Sequence, residues 1–201
     1  DLIAMSTHGR GGVGRAIWGS VTDSVIHSSD LPTLAITPER AKQYWREGRQ
    51  ITRTLVPLDG SDLAETALPY VEELAQRLSL EIILARAISI GGFYSAHLDG
   101  YPYADYTALE AESESDAVGY LEGVAGRLRA KGLEVSWKVL KESPARSLVE
   151  LAHEIPQDII VLTTHGRSGL SRWIVGSVAE AVVRASGDPV VVIPPTETGE
   201  G

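Results

Sequence analysis

The sequence predicts an α/β protein: an open five-stranded parallel sheet sandwiched by helices, with an extra β-α-β fragment at the N-terminus. Three observations carry that prediction. Short runs rich in Val, Ile and Leu alternate with longer stretches of helical apolar spacing. Gly, Pro and Ser turn signals separate the two kinds of segment. The chain also repeats itself: residues 1–38 align on 158–195 without a gap, at a constant offset of 157.

The repeat sets the organisation. Thr7-His8-Gly9-Arg10 recurs as Thr164-His165-Gly166-Arg167, Gly19-Ser20-Val21 as Gly176-Ser177-Val178, and Pro32 as Pro189. The second copy is led in by residues 51–157, which have no counterpart ahead of the first copy. Residues 1–38 therefore read as the C-terminal part of a unit, either in a truncated piece or as a natural short arm. Residues 39–50, with Tyr44, Trp45 and their charged neighbours, read as a linker; 51–195 read as a complete domain and 196–201 as a tail.

Within the complete unit each element has a reason. Residues 54–58 form a short strand, closed by the turn residues Asp59-Gly60-Ser61. Residues 63–77 read as one helix, with Leu63, Ala67, Leu68, Val71, Leu74 and Ala75 at helical spacing. Residues 81–88 form a strand whose apolar stretch suits burial on both faces. An aromatic, Gly-containing loop follows over 91–106, then a long helix over 109–131 stopped by Gly132. After a strand at 135–140, Ser143-Pro144 opens a helix with Ser as N-cap and Pro at the first turn. A buried strand at 158–162, a helix at 176–186 closed by Gly187-Asp188-Pro189, and a last strand at 190–193 complete the unit. Right-handed crossovers make this sheet parallel. The first copy supplies only strand, loop, helix and strand, too little to fold unless it leans on a larger body.

Composition narrows the function. Eighteen Lys and Arg against 27 Asp and Glu give a formal net charge of −9, so a nucleic-acid partner is not expected. There is no Cys, which excludes a disulfide framework, Cys-ligated zinc, an iron–sulfur cluster and a thiol nucleophile. No apolar run reaches the roughly 18–20 residues of a membrane span, so no membrane partner and a cytoplasmic location are expected.

The most informative stretch is residues 162–178, where a buried strand runs into a Gly- and Ser-rich loop and Gly176-Ser177 opens a helix. Free backbone N–H groups and the positive end of that helix suit an anion. The alternative is a plain strand-to-helix turn in which the glycines serve only geometry. Gly9-Arg10-Gly11-Gly12-Val13-Gly14 matches the dinucleotide fingerprint, but Gly11 and Gly14 become Ser168 and Ser171 in the second copy, which weakens that reading. No Walker G-K-[ST] occurs.

Together, Asp59-Gly60-Ser61 after the first strand, Thr-His-Gly-Arg…Gly-Ser-Val, and a closing Asp-Pro-Val-Val-Val-Ile-Pro resemble the universal stress protein family. The likeness covers residues 51–195 as a full domain and 1–38 as the end of another, a tandem arrangement. It implies a Rossmann-like fold of the adenine-nucleotide alpha-hydrolase type. Nucleotide-binding members carry G-x2-G-x9-G-[ST]; here the spacing reads Thr163-x2-Gly166-x9-Gly176-Ser177 and Ser6-x2-Gly9-x9-Gly19-Ser20, with the first glycine replaced in both copies. The resemblance implies that Asp59 bonds the ribose and that Pro57 and Ala87 line the adenine. It assigns the phosphates to the Gly166 backbone and to Gly176, Ser177 and Val178. The implied ligand is ATP or AMP, with Mg as a candidate accompanying ion, in a sensing or regulatory role. It also implies pairing of the last strand across a homodimer or pseudo-dimer seam, with residues 33–36 as the partner in this chain.

Other readings stay open. Asp59 can instead cap the following turn, Arg167 and Arg172 can neutralise phosphate or be solvated, and the protein can be an interaction module without nucleotide or a slow ATP hydrolase or phosphotransferase. His165 and His8 read as turn formers, and His27, His97 and His153 lack metal-ligand spacing. Asp62 and Glu65 suit a helix start. Tyr94, Tyr101, Tyr103 and Tyr106 form either a binding lip or a cover over an apolar edge.

Overall fold

A computed structural model describes residues 1–7, 20–88, 104–141, 143–154, 159–163, 177–185 and 187–194. The strands are β1 (Ile3–Ser6), β2 (Thr33–Ile36), β3 (Arg53–Pro57), β4 (Glu81–Ala87), β5 (Val135–Leu140), β6 (Ile159–Thr163) and β7 (Val190–Ile193). The helices are α1 (Ser20–Ser28), α2 (Pro38–Glu47), α3 (Asp62–Glu65), α4 (Leu68–Leu78), α5 (Ala104–Arg129), α6 (Pro144–Glu154) and α7 (Ser177–Ala185). One seven-stranded sheet runs β1-β2-β7-β6-β3-β4-β5. Its pairs are parallel except β2 with β7, so the N-terminal fragment joins the five-stranded sheet at one antiparallel seam.

The repeat in the sequence is a repeat in register. Ile3 pairs with Thr33 as Ile160 pairs with Val190, and Ser6 with Ile36 as Thr163 with Ile193. The N–H of Ile3 donates to Pro32 O at 2.9 Å, and that of Ile160 to Pro189 O at 2.9 Å. α1 and α7 occupy equivalent residues. At the seam Leu34 faces Val191, its own counterpart, while Thr33 faces Val192 and Ala35 faces Val190. Such reciprocal pairing is what a two-fold axis requires. The edge of β7 is thereby taken within the chain, by the strand that the sequence names for it, and a sheet edge is closed.

Two apolar layers flank the sheet. On one face Val56, Ile82, Leu84, Ile159 and Val161 pack with Val71 of α4 and Leu121, Val124 and Leu128 of α5. On the other, Leu55, Ile83, Ile160 and Val190 pack with Leu148 and Leu151 of α6, Val182 of α7 and Ile26 of α1. Among the described residues the first copy has no counterpart of the first of these covers: Leu2 is 48% exposed where its counterpart Ile159 is 4% exposed.

Three expectations shift. Residues 63–77 form two helices, because Pro69 in the first turn of α4 has no N–H to offer the Glu65 carbonyl and its ring clashes there. The long helix starts at Ala104, inside the stretch read as loop. The expected linker contains α2, with Thr37 as N-cap, Pro38 in the first turn and Gly48 in the left-handed conformation at φ 58° as the stop. No residue of α2 is buried; the Arg40 guanidinium ties it to the Asp188 carboxylate ahead of β7.

Candidate functional site

From β3 the chain proceeds to β4 and β5 on one side, and then returns to β6 and β7 on the other. The switch point lies between β3 and β6, and open α/β sheets bind ligands outside the carboxyl ends of strands at such a point. β3 delivers buried Leu58, whose N–H donates to Ala85 O at 2.8 Å, and then the turn Asp59-Gly60-Ser61. Asp59 Oδ1 accepts from Ser61 N–H at 3.0 Å and from Ser61 Oγ at 2.6 Å. Ser61 Oγ in turn accepts the Ala64 N–H at 3.1 Å and caps α3. Gly60 carries φ +86°, which a residue with a Cβ adopts only under strain. Asp59 thus closes its own turn, and its carboxylate is held in one orientation at the end of β3.

Pro57 and Ala87 are half-buried at the ends of β3 and β4. By strand alternation they share the sheet face of Leu55, Ile83 and Ala85, the face covered by α6 and α7. Thr163 ends β6, half-buried and paired with Ile193. Val178, in the first turn of α7, packs on the same α6–α7 side, and Ser177 heads that helix. The fold therefore brings Pro57, Asp59, Ala87 and Thr163 to one end of three adjacent strands. Gly166 and Gly176, His165, Arg167, Arg172, and in the first copy His8, Gly9 and Gly19, lie outside the described residues, as do Tyr94, Tyr101 and Tyr103. Ser6 ends β1 as Thr163 ends β6, but among the described residues no strand lies beyond β1 to supply a counterpart of Asp59 or Ala87.

Behind the turn is a cluster that sequence reasoning missed. The Arg86 guanidinium carbon stands 4.9 Å from the centre of the Tyr120 ring. A Cβ built on Gly60 would lie 3.0 Å from that carbon and 3.1 Å from each terminal nitrogen. Glu65 pairs with Arg127 of α5. The Tyr120 hydroxyl is buried without a hydrogen-bond partner among the described residues. Burial, reinforced by the nearby Glu65 carboxylate, pushes its phenol well above the usual range, against the pull of Arg86. The available signal was Arg86 itself. Strand alternation puts it on the face of Ile82 and Leu84, so a charge there needs a polar opening in the α4–α5 layer.

These features first define a class: an open α/β sheet with its topological switch point between β3 and β6 and a carboxylate turn at the end of β3. The family is shown by comparison. The model of the universal stress protein family matches residues 1–37 and 50–194, and the chain belongs to that family. It is 30% identical over 193 residues to universal stress protein Rv2005c of Mycobacterium tuberculosis, covering 96% of this chain and 61% of that protein. The chain thus spans about three fifths of the length of such relatives. It is 28% identical over 149 residues to universal stress protein MJ0531 of Methanocaldococcus jannaschii, covering 74% of this chain and 85% of that one. Among solved structures, protein MJ0577 superposes with a TM-score of 0.65 at 25% identity, over 75% of this chain and all of that one. A universal stress protein solved in complex with cAMP superposes at 0.53 and 23% identity, over 72% of this chain and 98% of that one.

Proposed function

We propose that this chain binds an adenine nucleotide, ATP or AMP, in the crevice between β3 and β6, and that binding serves a sensing or regulatory role. One observation carries the reading: Asp59 stands at the switch point with its carboxylate fixed by Ser61, beside Pro57 and Ala87 on the end of the sheet that faces α7. The residues fit such a ligand. Pro57 and Ala87 are small, apolar and half-exposed, a surface suited to a flat base. Asp59 suits ribose hydroxyl donors. The phosphates fall to the Gly166 backbone, Gly176 and Ser177 at the head of α7, where N–H groups and the helix dipole hold an anion in a chain of net charge −9. Mg is the candidate counter-ion of those phosphates. The cAMP complex of a protein with this fold supports the ligand class.

Thr163 and Ser6, each in place of the first motif glycine, favour a second reading, an interaction module that holds no nucleotide. Calorimetric titration with ATP and Mg²⁺ separates the two. The first reading expects binding in the wild type, about tenfold weaker in Asp59→Ala because a charge-assisted hydrogen bond is lost, and none in Gly176→Asp. No heat and no thermal shift at millimolar nucleotide would overturn it. Phosphate release above background, lost in Asp59→Ala, would mark a slow hydrolase instead.

A further inference from the structure

Arg86 belongs to no role assigned so far, yet it sits against the turn that carries Asp59. Its guanidinium carbon is the atom nearest the position of a Gly60 Cβ, with both terminal nitrogens only slightly farther, so the planar group meets Gly60 face-on. The same group stacks on the Tyr120 ring. Among the described residues the stack on Tyr120 is the contact that orients it. Glycine at position 60 is favoured by φ +86°, and a Cβ there would push the guanidinium back by a few tenths of an ångström. Arg86 lies on the α4–α5 side of the sheet, away from Pro57 and Ala87, and so behind the turn as seen from the crevice.

We propose that Arg86 is a positioning residue: held by Tyr120, its guanidinium backs the Gly60 peptide and fixes the turn in which Asp59 accepts from Ser61, so that the carboxylate faces a ribose at a set angle. The proposal deepens the nucleotide reading and rests on it for the ribose. The effect on the turn does not depend on any ligand. A planar group is required, since a lysine ammonium has the charge but no face to lay on the peptide.

The test has two readouts. In ligand-free protein, hydrogen exchange at the Ser61 amide, which donates to Asp59 Oδ1, should quicken about tenfold in Arg86→Met, as expected for a loss of local order worth one such factor, while the amides of β6 and β7 hold. Arg86→Lys should behave as Met; Lys exchanging as slowly as Arg, or Met leaving the Ser61 amide unchanged, would overturn the proposal. With nucleotide, the preference for ATP over 2′,3′-dideoxy-ATP, which lacks the hydroxyls assigned to Asp59, should collapse in Arg86→Met while dideoxy-ATP binds as before. Equal weakening of both ligands, or a loss that grows with the number of phosphates, would refute positioning in favour of general destabilisation or a direct anion contact. A wild type that binds neither ligand would remove the nucleotide reading and leave the Ser61 amide to decide the role of Arg86.

Discussion

The two copies of the repeat allow one structural position to be perturbed in two environments. Leu2 and Ile159 are counterparts, directly ahead of β1 and at the start of β6. Ile159 is 4% exposed, pairs with Thr54 of β3 and lies under the α4–α5 layer; Leu2 is 48% exposed and has neither cover. Truncating each to Ala removes three carbons. At about 0.8 kcal/mol per buried CH₂ the transfer loss at Ile159 is about 2.4 kcal/mol, and the void left in a packed layer brings the total to about 3–4 kcal/mol. At Leu2 about half the transfer loss applies and solvent fills the gap, giving about 1 kcal/mol. Urea unfolding followed by circular dichroism measures both, with the slope m held constant as the check that only stability has changed. A difference of about 2 kcal/mol or more is expected. Costs equal within about 0.5 kcal/mol would refute the reasoning, because the layer that distinguishes the copies would then contribute nothing.

Arg40→Met should destabilise by about 2–3 kcal/mol, since it uncouples α2 from an Asp188 side chain only 3% exposed, whereas Arg146→Met, which breaks an exposed pair with Glu150 one helical turn away, should cost under about 0.5 kcal/mol; thermal unfolding of the two variants compares them. Tyr120→Phe should change stability at pH 7 by no more than about 1 kcal/mol, because the lost hydroxyl is buried with no well-formed hydrogen bond among the described residues and only the nearby Glu65 carboxylate to meet it. The phenol is raised in the folded state, so its contribution is fully present below the unfolded value of 10.0 and is lost as pH climbs towards the folded one: the wild type should lose urea stability above pH 10 more steeply than Tyr120→Phe, and parallel profiles would contradict the burial argument.

What the sequence revealed, and what it hid, follows from which physical signals survive in one dimension. Strand positions and their registers were legible because identical offsets in sequence become identical ladders, as with Ile3–Thr33 and Ile160–Val190. Helix α2 was hidden because a search for an apolar stripe finds nothing in a helix with no buried residue; its Thr37-Pro38 start and Gly48 stop were the signals to use. The break between α3 and α4 was hidden by the opposite error. The stripe Leu68, Val71, Ala75 continues the spacing of Leu63 and Ala67, so periodicity outvoted Pro69, although a missing N–H is a local fact that no periodicity repairs. Arg86 and Tyr120 meet across 34 positions of sequence and two layers of the fold, a pairing that neither residue announces alone.

The repeated motif and the sheet order differ in what they duplicate. The Gly-Ser connection occurs twice, in equivalent registers and ahead of equivalent helices. The end of β6 is bordered by β3, which brings Pro57 and Asp59, however, and Ala87 stands on β4, one strand further. Among the described residues β1 meets β2 on one side and no strand on the other. The Gly-Ser motif can therefore be read from either copy, but Pro57, Asp59 and Ala87 come from β3 and β4. Among the described residues this arrangement thus occurs once, although the seam that joins the two copies is two-fold.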